Sequence, residues 1–179
     1  SAHFHLPGGI LIRSYSIDPL APDTVHITGG NKPIISGTSW TGAIRHAMYR
    51  IGKTMDVSEK MESLIRVLFG EVREEKNGAF PSNIIIEESD IKGGTSLPYT
   101  RNKIDRFTGG VVSSALFTEE PHVEGTVSCS CLLRKKFSTK TPLDEEGGTP
   151  PSLEACIGAL LLAFLDLGNG IQPLGGATS

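Results

Sequence analysis

Cysteine and tryptophan are scarce, three and one among 179 residues, and aromatic side chains make up only 6% of the chain. Three thiols are an odd set and too few to staple a secreted fold, so a reducing cytoplasm is the expected compartment. Long apolar runs are missing as well. The longest, 155–165, stops well short of the ~20 residues a membrane helix needs. No stretch joins a basic start to an apolar core and a small-residue cleavage site, so no secretory signal is expected within it. Zinc-type spacing is also absent. Cys129 and Cys131 share a strand face without a Cys-x-x-Cys pair, and His3, His5, His26 and His122 fall in no metal pattern. The net charge of −3, taken alone, argues against a nucleic-acid partner. Glycine and proline, by contrast, are plentiful at 21 and 11 residues, which points to sheets joined by tight loops rather than a helical bundle. With 38% hydrophobic and 21% charged residues the chain is neither disordered nor membrane-embedded. Folding a chain of this size hides roughly 70% of its surface, enough for one core or for small separate ones.

The charges are unevenly spread. Arg45, Arg50 and Lys53 stand together without an acid; Arg101, Lys103 and Arg106 surround the single Asp105; Arg134, Lys135, Lys136 and Lys140 form a further block. Acids gather elsewhere, at Glu71, Glu74 and Glu75, at Glu87, Glu88 and Asp90, at Glu119, Glu120 and Glu124, and at Asp144, Glu145 and Glu146. Such separation can place a basic track on one face, although each block alone reads equally well as a solvated loop.

Periodicity predicts a first strand over 9–14, with Ile10 and Ile12 on one face, and then a long loop over 17–32. A helix is expected from Gly37 to about Ile51, its apolar stripe being Ile44, Ala47, Met48 and Ile51, with Gly52 ending it. A second should run over 57–69, opened by an Asp56–Glu59 capping box and striped by Met61, Leu64, Ile65 and Leu68. Ile84-Ile85-Ile86 reads as a strand, and 92–112 as a long polar segment. Over 126–133 alternation puts Val127, Cys129, Cys131 and Leu133 on one face. Ser152 opens a helix to Leu167 that is apolar almost all round and is therefore expected to be buried between other elements. The order predicts an α+β, ferredoxin-like (RRM-like) βαββαβ domain with long inserted loops, lacking its last strand. Residues 1–179 are expected to form a single domain and to be a piece of a longer chain, since the glycine-rich end at 170–179 should feed that strand.

The stretch Ser36-Gly37-Thr38-Ser39-Trp40-Thr41-Gly42-Ala43-Ile44-Arg45 concentrates the chemistry. A glycine and hydroxyl residues at a helix start leave backbone N–H groups for an anion, the helix dipole adds attraction, and Arg45 leans back toward the same end. Plain helix capping accounts for the same residue types. The stretch also resembles the Pro-Gly-Ser-Ser-Leu-Lys-Gly-Ala-Leu-Arg signature of the RAMP superfamily of CRISPR-associated proteins. Gly37, Ser39, Gly42, Ala43 and Arg45 match it, while Ser36, Thr38, Trp40 and Thr41 replace its proline, a serine, its leucine and its lysine. Leu68-Phe69-Gly70 is similar to the family's Leu-Phe-Gly. Lys103 to Gly110, followed by Ala115-Leu116-Phe117, Glu119 or Glu120, and Gly125-Thr126, resembles the backbone subunits of type III effector complexes.

The resemblance implies a subunit that stacks along a guide RNA beside related RAMP subunits and other effector proteins, and presses a β-hairpin thumb between guide and target RNA. It assigns guide-phosphate contacts to Gly37, Thr38, Ser39 and Arg45, and further phosphate contacts to Arg101, Lys103 and Arg106 in a thumb formed or flanked by 98–110. Asp105 is expected to position that hairpin. Several such subunits also cut target RNA through a loop aspartate with Mg²⁺ or another divalent cation, leaving a 2′,3′-cyclic phosphate and a 5′-hydroxyl. Asp23 is the better match to that aspartate, ahead of Asp18, and no cluster of residues is recognisable that would hold the metal. Two alternatives stay open: a subunit that binds RNA without cutting, and a guide-processing endoribonuclease acting through histidine.

Overall fold

The computed structural model describes residues 1–15, 18, 20–73, 78–113, 116–134 and 151–176. Lys135, Lys136, Lys140, Glu74, Glu75, Asp144, Glu145, Glu146, Ala115, most of the 139–151 loop and the last residues of the glycine-rich end lie outside them. The fold is α+β with both parallel and antiparallel pairing, and the chain divides into two compact units. One comprises Ser1–Ala2, Trp40–Glu87 and Cys129–Pro173; the other His3–Ser39, Glu88–Ser128 and the tail from Leu174.

The first unit is built on helices α1 (Gly37–Thr54, which it joins at Trp40), α2 (Ser58–Phe69) and α3 (Leu153–Gly168). The predicted stripes form its core: Ile44, Ala47 and Met48 of α1 cluster with Met61, Ile65 and Leu68 of α2 and with Cys156, Ala159 and Ala163 of α3. An antiparallel ladder of Ile84–Ile86 with Cys131–Leu133 adds Ile84, Ile86, Cys131 and Leu133 to that cluster. A short hairpin pairs Glu71–Arg73 with Gly78–Phe80.

Local chemistry corrects several expectations here. Gly52 does not end α1, which continues to Thr54; the glycine is needed where α1 meets α2, because a Cβ on it would lie 2.7 Å from Met61 Cβ. The Asp56 capping box does not form. Asp56 adopts φ +55°, Val57 occupies the N-cap position, and no side chain caps α2. The Ser152 cap on α3 does form, its Oγ accepting from the Ala155 N–H at 3.2 Å. That helix is nevertheless not buried all round. Cys156, Ala159, Leu160 and Ala163 face the core, while Ile157, Leu161, Leu162 and Leu165 are exposed, because among the described residues α3 is covered on one side only.

The second unit is made of sheets. A five-stranded sheet has the order Ala2–His5, Thr126–Cys129, Ser89–Lys92, Lys32–Ile35, Thr28–Gly29. A three-stranded sheet runs Thr95–Ser96, His122–Val123, Gly9–Ile10. A four-stranded sheet runs Tyr99–Arg101, Phe117–Glu120, Thr24–His26, Arg13–Ser14. The predicted first strand thus splits between sheets. Gly9–Ile10 pairs with His122–Val123 and Arg13–Ser14 with the Thr24–His26 strand, and the chain turns between them so that adjacent Ile10 and Leu11 are both buried. Strands also interrupt the expected loops at 17–32 and 92–112, and the expected strand over 126–133 breaks at Ser130.

Candidate nucleic-acid interface

Ser36, immediately before α1, caps the helix. Its Oγ accepts from the Ser39 N–H at 3.2 Å and lies 2.8 Å from Ser39 Oγ and 3.0 Å from Thr38 Oγ1. One leading N–H of the helix is therefore satisfied by the chain itself. The first turn carries no acid, and the positive end of the helix dipole lies beside exposed Thr38 and half-buried Gly37 and Ser39.

Further along α1 the basic residues separate by role. Arg45 is exposed, its guanidinium carbon 5.9 Å from the centre of the Tyr49 ring. Arg50 is engaged within the protein, donating to Asp166 Oδ2 at 2.8 Å and to the Ile171 carbonyl. His46 is exposed and donates from Nδ1 to Gln172 Oε1 at 2.9 Å.

Among the described residues, 99–113 and 116–119 form a long β-hairpin. Tyr99, Thr100 and Arg101 pair with Glu119, Thr118 and Phe117, and Ile104 bridges Val111 further out. Asp105 closes the tip: its Oδ1 accepts from the Phe107 N–H at 2.8 Å and the Thr108 N–H at 2.9 Å. Its own backbone N–H donates to the Gly110 carbonyl, and its carbonyl accepts from Gly109, each at 2.9 Å. These amides, Thr108 first and then Phe107, hold the Asp105 carboxyl below its usual range. The positioning role expected of Asp105 is thus met in geometry. Around it Lys103 and Arg106 are exposed, Ile104 and Val111 flank them, and Phe107 stands 92% exposed.

Arg101, at the hairpin base, is held differently. Its Nε donates to Glu119 Oε2 at 3.0 Å, a terminal nitrogen donates to the Tyr99 hydroxyl, and the guanidinium lies 4.8 Å over the Tyr99 ring. Arg13 reaches the other oxygen of the same carboxylate, Oε1, at 3.4 Å. Neither the part played by Arg13 nor that of Glu119 is visible in the sequence. Nothing local could show a contact between residues so far apart in the chain, although Arg13 is the one charged residue of its predicted strand.

Asp23 immediately precedes the Thr24–His26 strand of the same sheet and stands apart from that cluster. Thr118 donates to Asp23 Oδ2 from its backbone N–H at 2.7 Å and from its hydroxyl at 3.1 Å, while that hydroxyl accepts from the Asp23 N–H at 3.0 Å. The Thr118 amide and then its hydroxyl hold the Asp23 carboxyl below its usual range, so it is ionised at neutral pH. Alternation along the paired strands places Asp23, Thr118 and Val25 on one face and Thr24, Glu119, Tyr99 and Arg101 on the other.

Among the described residues no group of three or more His, Cys, Asp or Glu side chains could hold a metal ion, and Asp23 is a lone carboxylate with one oxygen already bonded to Thr118. The cysteines are no better suited, since burial pushes the Cys129 and Cys156 thiols up to about 11.

The family model of the RAMP superfamily matches residues 10–168. No curated protein matches the sequence. Among solved structures, a chain of a type III-B Cmr-beta cryo-electron-microscopy structure in the apo state is similar in fold, with a TM-score of 0.52 at 10% identity, covering 75% of this chain and 83% of that one.

Proposed function

Because this chain belongs to the RAMP superfamily, we propose that it is an RNA-binding backbone subunit of a type III CRISPR effector complex, lying in the cytoplasm between guide and target RNA beside other effector subunits. The observation that carries this reading is the hairpin: its tip is closed by Asp105 and carries exposed Arg106 and Phe107, with Lys103 close behind. A subunit that accepts any guide must grip phosphates and leave base edges alone. Lys103 and Arg106 supply phosphate contacts on the hairpin; Arg45, with Gly37, Thr38 and Ser39, supplies them on α1; Arg101 supplies one at the hairpin base. Phe107, an apolar side chain in water at a pinned tip, is suited to wedge against a nucleobase. We take the arrangement as a ferredoxin-like βαββαβ plan within one RAMP domain.

The test is RNA binding by the assembled complex across a salt series. Arg45→Ala combined with Arg106→Ala should weaken binding and lower the slope of log K against log salt by about 0.7 for each lost single-strand phosphate contact. An unchanged slope would remove both residues from the phosphate track.

A second reading adds target-RNA cleavage through Asp23, favoured by its exposed, ionised carboxylate. Such a group would take the proton from a ribose 2′-hydroxyl as that oxygen attacks the adjacent phosphorus and expels the 5′-oxygen, which picks up a proton from water. A 2′,3′-cyclic phosphate and a 5′-hydroxyl would result. Matched target RNA incubated with the complex and Mg²⁺ decides between the readings: loss of cleavage in Asp23→Ala supports catalysis, and cleavage at the parent rate assigns Asp23 to strand pairing alone.

A further inference from the structure

Resting on the RNA-binding reading, we propose that Glu119 is a positioning residue whose buried carboxylate sets Arg13 and Arg101 as a paired guanidinium seat for one RNA phosphodiester at the hairpin base. The sheet register brings the three together. Glu119 lies on an inner strand of the four-stranded sheet, with Arg101 and Arg13 on its outer strands. Glu119 pairs with Tyr99 on one side and Thr24 on the other, and Arg13 pairs with His26. Counting alternate residues from these pairs puts Arg13, Glu119 and Arg101 on one face.

Burial then separates their roles. The Glu119 side chain is 4% exposed, against 55% for Arg13 and 49% for Arg101. A carboxylate withdrawn from water that far is costly unless paired, and a mere cross-strand tie is served as well by apolar residues of similar volume. Here one buried negative charge faces two half-exposed positive ones. The cluster keeps a net positive charge at the surface, which an anion can complete.

The Arg101 guanidinium is also fixed before any ligand arrives, and Arg13 is drawn to the same carboxylate. Arg101 is bonded to Glu119 and to the Tyr99 hydroxyl and stacked on the Tyr99 ring, so most of its rotamer freedom is already lost. Gly176 lies beside Arg13: a Cβ on that glycine would lie 3.5 Å from Arg13 Nε and 3.7 Å from its guanidinium carbon. That tail is held close by the Gly176 N–H donating to the Leu11 carbonyl at 2.8 Å. Planar guanidiniums suit phosphate oxygens, and each arginine keeps N–H donors beyond those bonded to Glu119 and Tyr99.

Glu119→Gln in the full chain, with fluorescently labelled poly(U) RNA followed by anisotropy across salt, gives opposite signs for the alternatives. If Glu119 only neutralises charge, removing its charge beside RNA tightens binding. If it positions the arginines, Glu119→Gln weakens binding by roughly 3- to 10-fold despite the gain in net positive charge, and the salt slope falls by about 0.7. Equal or tighter binding overturns the proposal. Should Glu119→Gln fail to fold by circular dichroism, Arg13→Ala, Arg101→Ala and the double variant decide instead. One shared seat predicts that either single substitution removes most of the effect and the double adds little, whereas fully additive losses, or none, overturn it. Parent protein that binds poly(U) without salt dependence points to failure of the RNA-binding reading itself rather than of the seat.

Discussion

Two glycines of one helix should respond oppositely to the same substitution. Gly42 is exposed on α1 and a Cβ added there meets nothing within 4 Å, so Gly42→Ala gains only helix propensity, about 0.5–1 kcal/mol. Gly52 gains the same propensity, but its new Cβ would sit 2.7 Å from Met61 Cβ and 3.0 Å from Met61 Cγ. Carbon atoms pack at about 3.5–4.0 Å, so the overlap is close to 1 Å. Met61 Cβ is fixed to the α2 backbone and cannot swing aside, so α1 and α2 must part. Overpacking of that kind costs about 1–3 kcal/mol, which at the middle of both ranges leaves Gly52→Ala destabilised by about 1.3 kcal/mol after the propensity gain. For a chain of this length each kcal/mol moves Tm by about 2–4 °C, so calorimetry should find Gly52→Ala lowered by several degrees and Gly42→Ala raised slightly. If both variants rise together, the close approach of α1 and α2 at Gly52 is wrong.

His26 should make stability fall in mild acid. It is buried, its Nδ1 accepts from the Ile12 N–H at 3.2 Å, and its Nε2–H donates to the Ile34 carbonyl at 2.9 Å, so the neutral ring fits and the charged ring does not. Burial first, with the nearby His122 adding to it, pushes its pKa below the usual histidine value of 6.5. Its contribution is complete above that value and is lost as pH falls toward the lower folded pKa, at up to about 1.4 kcal/mol per pH unit. Urea unfolding at pH 7 and pH 5 should show the loss, and His26→Leu should reduce the difference; an identical pH dependence in the variant would absolve His26. Asp105→Ala removes the acceptor for the Phe107 and Thr108 amides, so amide exchange at the hairpin tip should accelerate and RNA affinity fall several-fold, with little change in Tm. Unchanged exchange at Phe107 and Thr108 would contradict the assigned closure.

Long periodic elements were legible in the chain, and so was turn chemistry that acts over a few residues. The apolar spacing of α1 and α2 and the Ser152 cap needed only local pattern, and the Asp105 tip followed from the resemblance together with a carboxylate set before glycines. What stayed hidden was short or distant. Thr24–His26 is too brief to display a period, yet it forms an inner strand of the four-stranded sheet. Ile10 and Leu11 break alternation because the strand changes sheets between them and Arg13. At the candidate site, Arg13 and Glu119 are linked only by the folded register, and Asp23 and Arg101 fall on opposite faces of one sheet. The outward side of α3 was misread because an all-apolar helix carries no mark of which side will be covered.

That outward side has a practical consequence for anyone handling the chain alone. Ile157, Leu161 and Leu165 follow one another at helical spacing with Leu162 alongside, and all four face water. A dissolved molecule bearing such an oily ridge should brighten anilinonaphthalene dyes while still folded and cloud on concentration. Replacing Leu161 by glutamate should keep it clear without touching the heart of the helical unit.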